Sequence, residues 1–118
     1  MMKTLLTLFV LFFSFSAVSS RVLFYADYKN NTDKKTYIDH IMSVESGMSW
    51  MQIYNKKLGI DSIYCKPANL NVSIENLEDA INLSVRDFRN RGVSNNQIDG
   101  YTVEILLLFG LQILFPCD

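Results

Sequence analysis

The chain has 118 residues, a formal net charge of −1 at pH 7 and 49% hydrophobic residues. This length suits one small domain with a modest core. The near-neutral balance argues against a nucleic-acid partner, because proteins that bind nucleic acids usually carry a basic face.

Residues 1–20 are typical of a secretory signal peptide. Lys3 precedes an almost entirely apolar run from Leu5 to Phe15, and small residues follow it. The run is shorter than the roughly 20 residues of a membrane-spanning helix. We therefore expect cleavage near 19–21 and no stable membrane insertion afterwards, with an uncleaved anchor as the alternative. The predicted mature chain, residues 21–118, is a single helical domain.

Cys65 and Cys117 are the only cysteines, and each lies within two residues of a proline. An exported chain reaches an oxidising compartment, where two cysteines favour a disulfide over a metal site. A Cys65–Cys117 disulfide would tie the last residues to the middle of the chain. The chain-entropy model assigns a loop of this size about 4 kcal/mol of stabilisation.

The first predicted helix covers about residues 33–58. Apolar side chains recur there at steps of three and four residues, which is typical of one buried helix face. Lys56 suits a helix C-terminus, and Gly59 suits the residue that ends the helix. The stripe with Trp50 could line a ligand groove, but packing in the core is the preferred interpretation. Its members are Tyr37, Ile41, Val44, Met48 and Met51, widened by Ile38 and Met42.

A second helix is predicted to begin after Ser73 as its N-cap. Acidic residues such as Glu75 crowd its first turns and arginines such as Arg89 gather near its end, as the helix dipole favours. Gly92 is expected to end this helix. Its apolar face comprises Ile74, Leu77, Ile81, Val85 and Phe88.

A third helix is predicted after Ser94, which has capping-box spacing to Gln97. The chain is almost entirely apolar from Val103 to Phe115, and such a segment is normally buried on all sides. We place it at the centre of a small all-α bundle of three to five helices, or partly in a dimer interface. A buried strand is the competing interpretation.

The sequence offers little that predicts catalysis. His40 is the only histidine, and a disulfide would consume both cysteines, so a Cys–His nucleophile pair is not expected. The sequence contains no glycine-rich phosphate loop and no zinc-binding spacing. We therefore expect a binding protein rather than an enzyme, with no cofactor and no metal.

Three motifs resemble those of the Rap/Tai family of immunity proteins. They are His40-Ile41-Met42-Ser43-Val44, the turn Tyr64-Cys65-Lys66-Pro67 and the terminal Phe115-Pro116-Cys117. The resemblance covers nearly all of the mature chain. A second cysteine pair, which many members carry near the N-terminus, is missing here. Ala26 and Tyr37 lie near the positions where it would be expected, so the cognate toxin stays open.

The resemblance implies a small all-α periplasmic protein of Gram-negative bacteria. Such proteins bind and neutralise peptidoglycan amidase effectors delivered by type VI secretion, and so protect the producing cell. The partner would be a papain-like Cys–His hydrolase. Some immunity proteins of this kind form homodimers, so a homodimer is a further expectation.

An inhibitor of this kind needs a rigid surface, because the cost of ordering it subtracts from affinity. The loop from Arg91 to Ile98 is the candidate surface, since it is polar and lies between two predicted helices. The other interpretation is an ordinary turn. The candidate partner-binding residues are Arg91, Ser94, Asn95, Asn96 and Gln97.

Two other functions stay open. An HdeA-like periplasmic acid-stress chaperone would also be small, exported, helical and disulfide-linked. Such a chaperone should lose structure when its carboxylates are protonated. The other alternative is a eukaryotic secreted binding protein, for which the glycosylation-type triplets at Asn30, Asn71 and Asn82 would matter.

Overall fold

The computed structural model describes residues 22–30 and 34–118, and the predicted signal peptide lies outside these residues. The described part contains helices and no strand, and one disulfide joins Cys65 to Cys117. The predicted all-α class is confirmed. Five helices follow in chain order: α1 Tyr25–Asn30, α2 Lys34–Lys57, α3 Ile74–Asn90, α4 Asn95–Asp99 and α5 Val103–Leu114.

The bounds predicted for the first helix are confirmed by α2, and Gly59 follows it with a φ of 75°. The preference for core packing was wrong for part of the stripe. Ile41 is 1% exposed, whereas Met51 is 60% and Trp50 is 69% exposed. The core reaches α2 only as far as Met48, so about the last two and a half turns extend beyond it.

Local signals set both ends of α3. The Ser73 hydroxyl accepts a hydrogen bond from the Asn76 backbone N–H at 3.2 Å. The Asn76 side-chain oxygen accepts one from the Ser73 N–H at 3.0 Å, which completes a capping box. Gly92 takes a φ of 88° beyond the last turn, a conformation that glycine adopts without strain. Both predicted ends are therefore confirmed.

The centre of the fold is the contact between α3 and α5. A Cβ atom added to Gly110 of α5 would lie 1.8 Å from the carbonyl oxygen of Ala80 in α3. The two backbones therefore approach more closely than any side chain at residue 110 would allow. Around this contact lie the fully buried side chains Leu77, Ile81, Leu106, Leu107 and Leu111.

The third predicted helix is divided in two. α4 ends at Asp99, and α5 starts after Thr102, whose hydroxyl accepts a hydrogen bond from the Ile105 N–H at 3.5 Å. The expectation that the apolar run is buried on all sides was also wrong. α2 and α3 pack against only part of its circumference. The side chains of Ile105, Phe109 and Ile113 are 42%, 39% and 43% exposed.

The N-terminal segment packs where α4 meets α5. The Val103 N–H donates to the Leu23 carbonyl, and the Tyr25 N–H donates to the Tyr101 carbonyl, both at 2.9 Å. The Lys29 ammonium lies 2.7 Å from a carboxylate oxygen of Asp99. These contacts fix the start of α5, and so the orientation of the loop before it.

The predicted Cys65–Cys117 disulfide is present, with its Cα atoms 5.0 Å apart. The Cys65 N–H also donates to the Phe115 carbonyl at 2.8 Å. The next residue, Lys66, places its ammonium 3.0 Å from a carboxylate oxygen of Glu45 in α2. One turn therefore ties the C-terminus to α2.

Candidate functional site

The loop from Arg91 to Ile98 is anchored at both ends. The Val93 N–H donates to the Phe88 carbonyl at 3.0 Å, and the Val93 side chain packs against the core. Ile98 is 1% exposed. The polar residues between these two apolar anchors face solvent, so the loop presents hydrogen-bonding groups from a fixed base.

All five candidate residues lie in this exposed segment, but it is not a loop throughout, because Asn95, Asn96 and Gln97 form the first turn of α4. The Ser94 hydroxyl caps α4, as its spacing to Gln97 predicted, by accepting a hydrogen bond from the Gln97 N–H at 3.3 Å. The Asn95 side-chain oxygen accepts one from the Arg89 Nε–H at 2.8 Å. Asn96 is exposed next to it.

Arg91 connects the loop to a neighbouring groove. Its Nε lies 3.0 Å from a carboxylate oxygen of Asp87, one turn back on α3. The groove has a volume of about 420 Å³ between α3 and α5. Its lining residues are Asp87, Phe88, Arg91, Phe109, Gln112 and Ile113.

The groove has an aromatic floor with polar groups at its rim. The rings of Phe88 and Phe109 meet edge to face, with centroids 5.8 Å apart. Our sequence reasoning missed this groove. The signal was available, because Ile105, Phe109 and Ile113 recur every four residues and so share one side of a helix.

The loop and the groove are suited to recognising a protein surface. Aromatic residues and arginine are the side chains that most often dominate protein–protein affinity. Apolar side chains of a partner could fill the groove, while the amides of Asn95, Asn96 and Gln97 bind its polar groups. None of these residue types by itself supplies a nucleophile.

A partly buried polar cluster joins the disulfide turn to α2. The Ser49 hydroxyl is 2.9 Å from the Lys66 ammonium, a spacing that serine–lysine nucleophile pairs also use. Here the hydroxyl and the ammonium both donate to the Glu45 carboxylate, at 2.8 Å and 3.0 Å. The lysine is therefore an ion-pair donor, and the cluster fastens the turn to α2. Burial raises the pKa of the adjacent Tyr64.

His40, the only histidine, contacts a carboxylate. Its Nε2 lies 2.5 Å from a carboxylate oxygen of Glu104, across the α2–α5 contact and on the exposed surface. Both cysteine sulfurs are consumed in the disulfide. The pair therefore links two helices, with neither sulfur available to it as a nucleophile.

Within residues 22–30 and 34–118, no three histidine, cysteine, aspartate or glutamate side chains gather into a group that could hold a metal ion. No helix in this part of the chain is long and apolar enough to cross a membrane.

Comparison with known proteins yields no matching family model, no matching curated protein and no matching solved structure. The loop and the groove are therefore interpreted from their own geometry.

Proposed function

We propose that this chain is a periplasmic immunity protein that binds and inhibits a peptidoglycan amidase delivered by type VI secretion. The observation that supports the proposal best is the anchored polar loop that meets an open apolar groove at Arg91. A loop fixed at both ends loses little conformational entropy on binding, so more of the contact free energy remains as affinity.

In the proposed complex the loop enters the cleft of the amidase. A cleft that binds peptide substrates offers backbone-like donors and acceptors, and the side-chain amides of Asn95, Asn96 and Gln97 match both kinds. The groove receives an apolar side chain from the rim of the cleft. Phe109 and Arg91 should contribute most to affinity, because Phe109 offers a large apolar contact area and Arg91 a charged group that donates several hydrogen bonds.

The direct test uses the mature, oxidised protein and the papain-like peptidoglycan amidase encoded by the same organism. Calorimetric titration and residual peptidoglycan hydrolysis are recorded on the same samples. We expect nanomolar binding and complete inhibition at stoichiometric addition. A folded protein that leaves hydrolysis unchanged would contradict the proposal. Loss of helix at acid pH with binding of unfolded client proteins would instead support the chaperone alternative.

Substitutions distinguish the loop from the rest of the surface. We expect Asn95→Trp or Asn96→Trp to raise the dissociation constant at least about tenfold, because a bulky ring displaces a fitted amide. The matched control is Asn69→Trp, which places the same ring on an exposed asparagine of the connection between α2 and α3. If all three variants bound the amidase as tightly as the unsubstituted protein, the loop would be eliminated as the contact surface.

A further inference from the structure

The last turns of α2 and the turn after them expose a cluster of large apolar side chains. Seven such side chains are more than half exposed in the part of the chain that the structure describes, and six of them lie within residues 50–60. A concentration of this kind marks a surface that a partner covers. We call these six residues the α2 tip: Trp50, Met51, Ile53, Tyr54, Leu58 and Ile60.

The apolar face of the α2 tip is wide. At about 100° of rotation per residue, the helical members between Ile53 and Met51 span roughly 160° of the circumference. The seam along which two helices pack in a coiled coil is narrower. A wide apolar face on a helix end that extends beyond the core therefore suits a broad, deformable surface better than a single partner helix.

Two of the exposed rings are of the kinds that lie where a bilayer meets water. Trp50 is 69% exposed and Tyr54 is 62% exposed. Tryptophan and tyrosine are enriched at that boundary, because the ring is apolar while its N–H or O–H stays hydrated. One turn separates these two residues on α2, so their rings lie on the same side of the helix.

The charge around the α2 tip is positive although the chain as a whole is slightly acidic. Residues 46–60 include Lys56 and Lys57 and no aspartate or glutamate, and Asp61 is the first acidic residue after them. Both lysines are exposed. Lysines beside an apolar helix face keep their ammonium groups in the headgroup region, where anionic lipids attract them.

The backbone of the turn after α2 has already used several of its donors. The Ile60 N–H donates to the Asn55 carbonyl at 2.9 Å, and Gly59 allows this reversal with a φ of 75°. The Gln52 side-chain oxygen accepts hydrogen bonds from the N–H groups of Ile63 and Tyr64, at 2.8 Å and 3.1 Å. Contact with hydrocarbon therefore leaves these donors satisfied, which removes the main cost of placing a turn there.

We propose that the α2 tip binds reversibly to the surface of a bilayer that contains anionic phospholipids. The apolar side chains enter the boundary between headgroups and acyl chains, and Lys56 and Lys57 contact the phosphate groups. The helix lies at the surface and does not cross the bilayer. This surface uses no residue of the loop from Arg91 to Ile98, so the inference does not rest on the proposed function.

Vesicle binding of the mature, oxidised protein tests the inference. Trp50 is the only tryptophan of the chain, so its fluorescence reports directly on the α2 tip. With vesicles of equal parts phosphatidylglycerol and phosphatidylcholine, we expect the emission to move to shorter wavelength and the protein to sediment with the lipid. Binding to vesicles of phosphatidylcholine alone should be about tenfold weaker or less. Added salt should weaken binding to the anionic vesicles.

Substitutions locate the contact. Leu58→Gln should weaken binding to the anionic vesicles about tenfold, because a large apolar side chain no longer leaves water. Its control is Val22→Gln, which removes the one other large apolar side chain that is more than half exposed in the described residues and should leave binding unchanged.

A second pair of variants tests the charge. Replacing both Lys56 and Lys57 by glutamine should weaken binding about tenfold or more. Replacing Lys35 and Arg86 by glutamine removes the same charge from exposed positions outside the α2 tip and should have a much smaller effect. Circular dichroism should show that all four variants keep their helices.

Three outcomes would overturn the inference. The first is a folded protein that stays free of both kinds of vesicle. The second is binding that Leu58→Gln and the double lysine variant leave unchanged. The third is a Trp50 emission that responds to added protein, whether a second copy or the amidase, and not to lipid. Amidase inhibition is measured separately with the loop variants, so failure of either proposal leaves the other standing.

Discussion

At Gly110 the backbones of α3 and α5 come too close for any side chain. Gly110→Ala would place its methyl group 1.8 Å from the Ala80 carbonyl oxygen, so the two helices must separate. We expect a loss of unfolding free energy of about 1–3 kcal/mol, measured by urea denaturation. Gly47→Ala is the matched control, because nothing lies within 4 Å of its added methyl group. Gly47→Ala should raise the unfolding free energy by roughly 0.5–1 kcal/mol. If Gly110→Ala and Gly47→Ala changed the unfolding free energy equally, the close contact between α3 and α5 would be contradicted.

Replacing either of two serines by alanine, one inside α3 and one at its N-cap, should change the unfolding free energy in opposite directions. The Ser84 hydroxyl is buried and makes no hydrogen bond, so Ser84→Ala should raise the unfolding free energy by about 1 kcal/mol. Ser73 caps the helix through its hydroxyl, so Ser73→Ala should lower it by about 1 kcal/mol. Denaturation curves of both variants check the pair. Destabilisation by Ser84→Ala would show that its hydroxyl has a partner.

Tyr28 should make the fold sensitive to alkaline pH. Burial, with the charges of Glu78 and Tyr25, raises its pKa to about 12. An unfolded tyrosine ionises near pH 10, roughly two units lower. Since the folded pKa is raised, its contribution to stability is complete below pH 10 and is lost as the pH rises towards 12. Thermal melts across this range should show the fall, and Tyr28→Phe should reduce it. An unchanged slope in Tyr28→Phe would contradict the assignment.

Helix ends were predictable because their causes are local. Ser73 and Gly92 act through atoms within a few residues, so their roles could be inferred from spacing alone. The break before Thr102 was missed because the long apolar run after it suggested one continuous helix. Whether an apolar helix face is buried depends on which other helices pack against it. The exposure of Trp50 and Phe109 therefore did not follow from the sequence. The exposure of Asn95 and Asn96 could be predicted from their polarity, although they lie in α4 and not in a loop. The groove beside them depends on how α3 and α5 pair.

The turn that carries Cys65 is the element on which the C-terminal half depends. The disulfide closes a sequence separation of 52 residues, and the chain-entropy model assigns this about 4 kcal/mol. Reducing the disulfide, or replacing both cysteines by alanine, should lower the unfolding free energy by about 4 kcal/mol. Thermal melts with and without reductant measure this loss of stability. Because Lys66 and the Cys65 N–H make further contacts, we expect the reduced chain to stay helical but melt earlier. An unchanged melting temperature would contradict a structural role for the disulfide.

At the scale of the whole molecule, two exposed surfaces have different characters. The loop and groove around Arg91 are polar with an aromatic floor, which suits a foreign partner. The outer side of α2 exposes the rings of Trp50 and Tyr54, beyond the part of the helix that the core reaches.

The most direct test of the central claim is protection of living cells. Bacteria that export the peptidoglycan amidase of the same organism to the periplasm are grown with and without the full chain, and lysis is followed by optical density. We predict lysis without the chain and normal growth with it, and renewed lysis when Asn95→Trp and Asn96→Trp are combined. Lysis that continues although the intact protein is found in the periplasm would contradict the account.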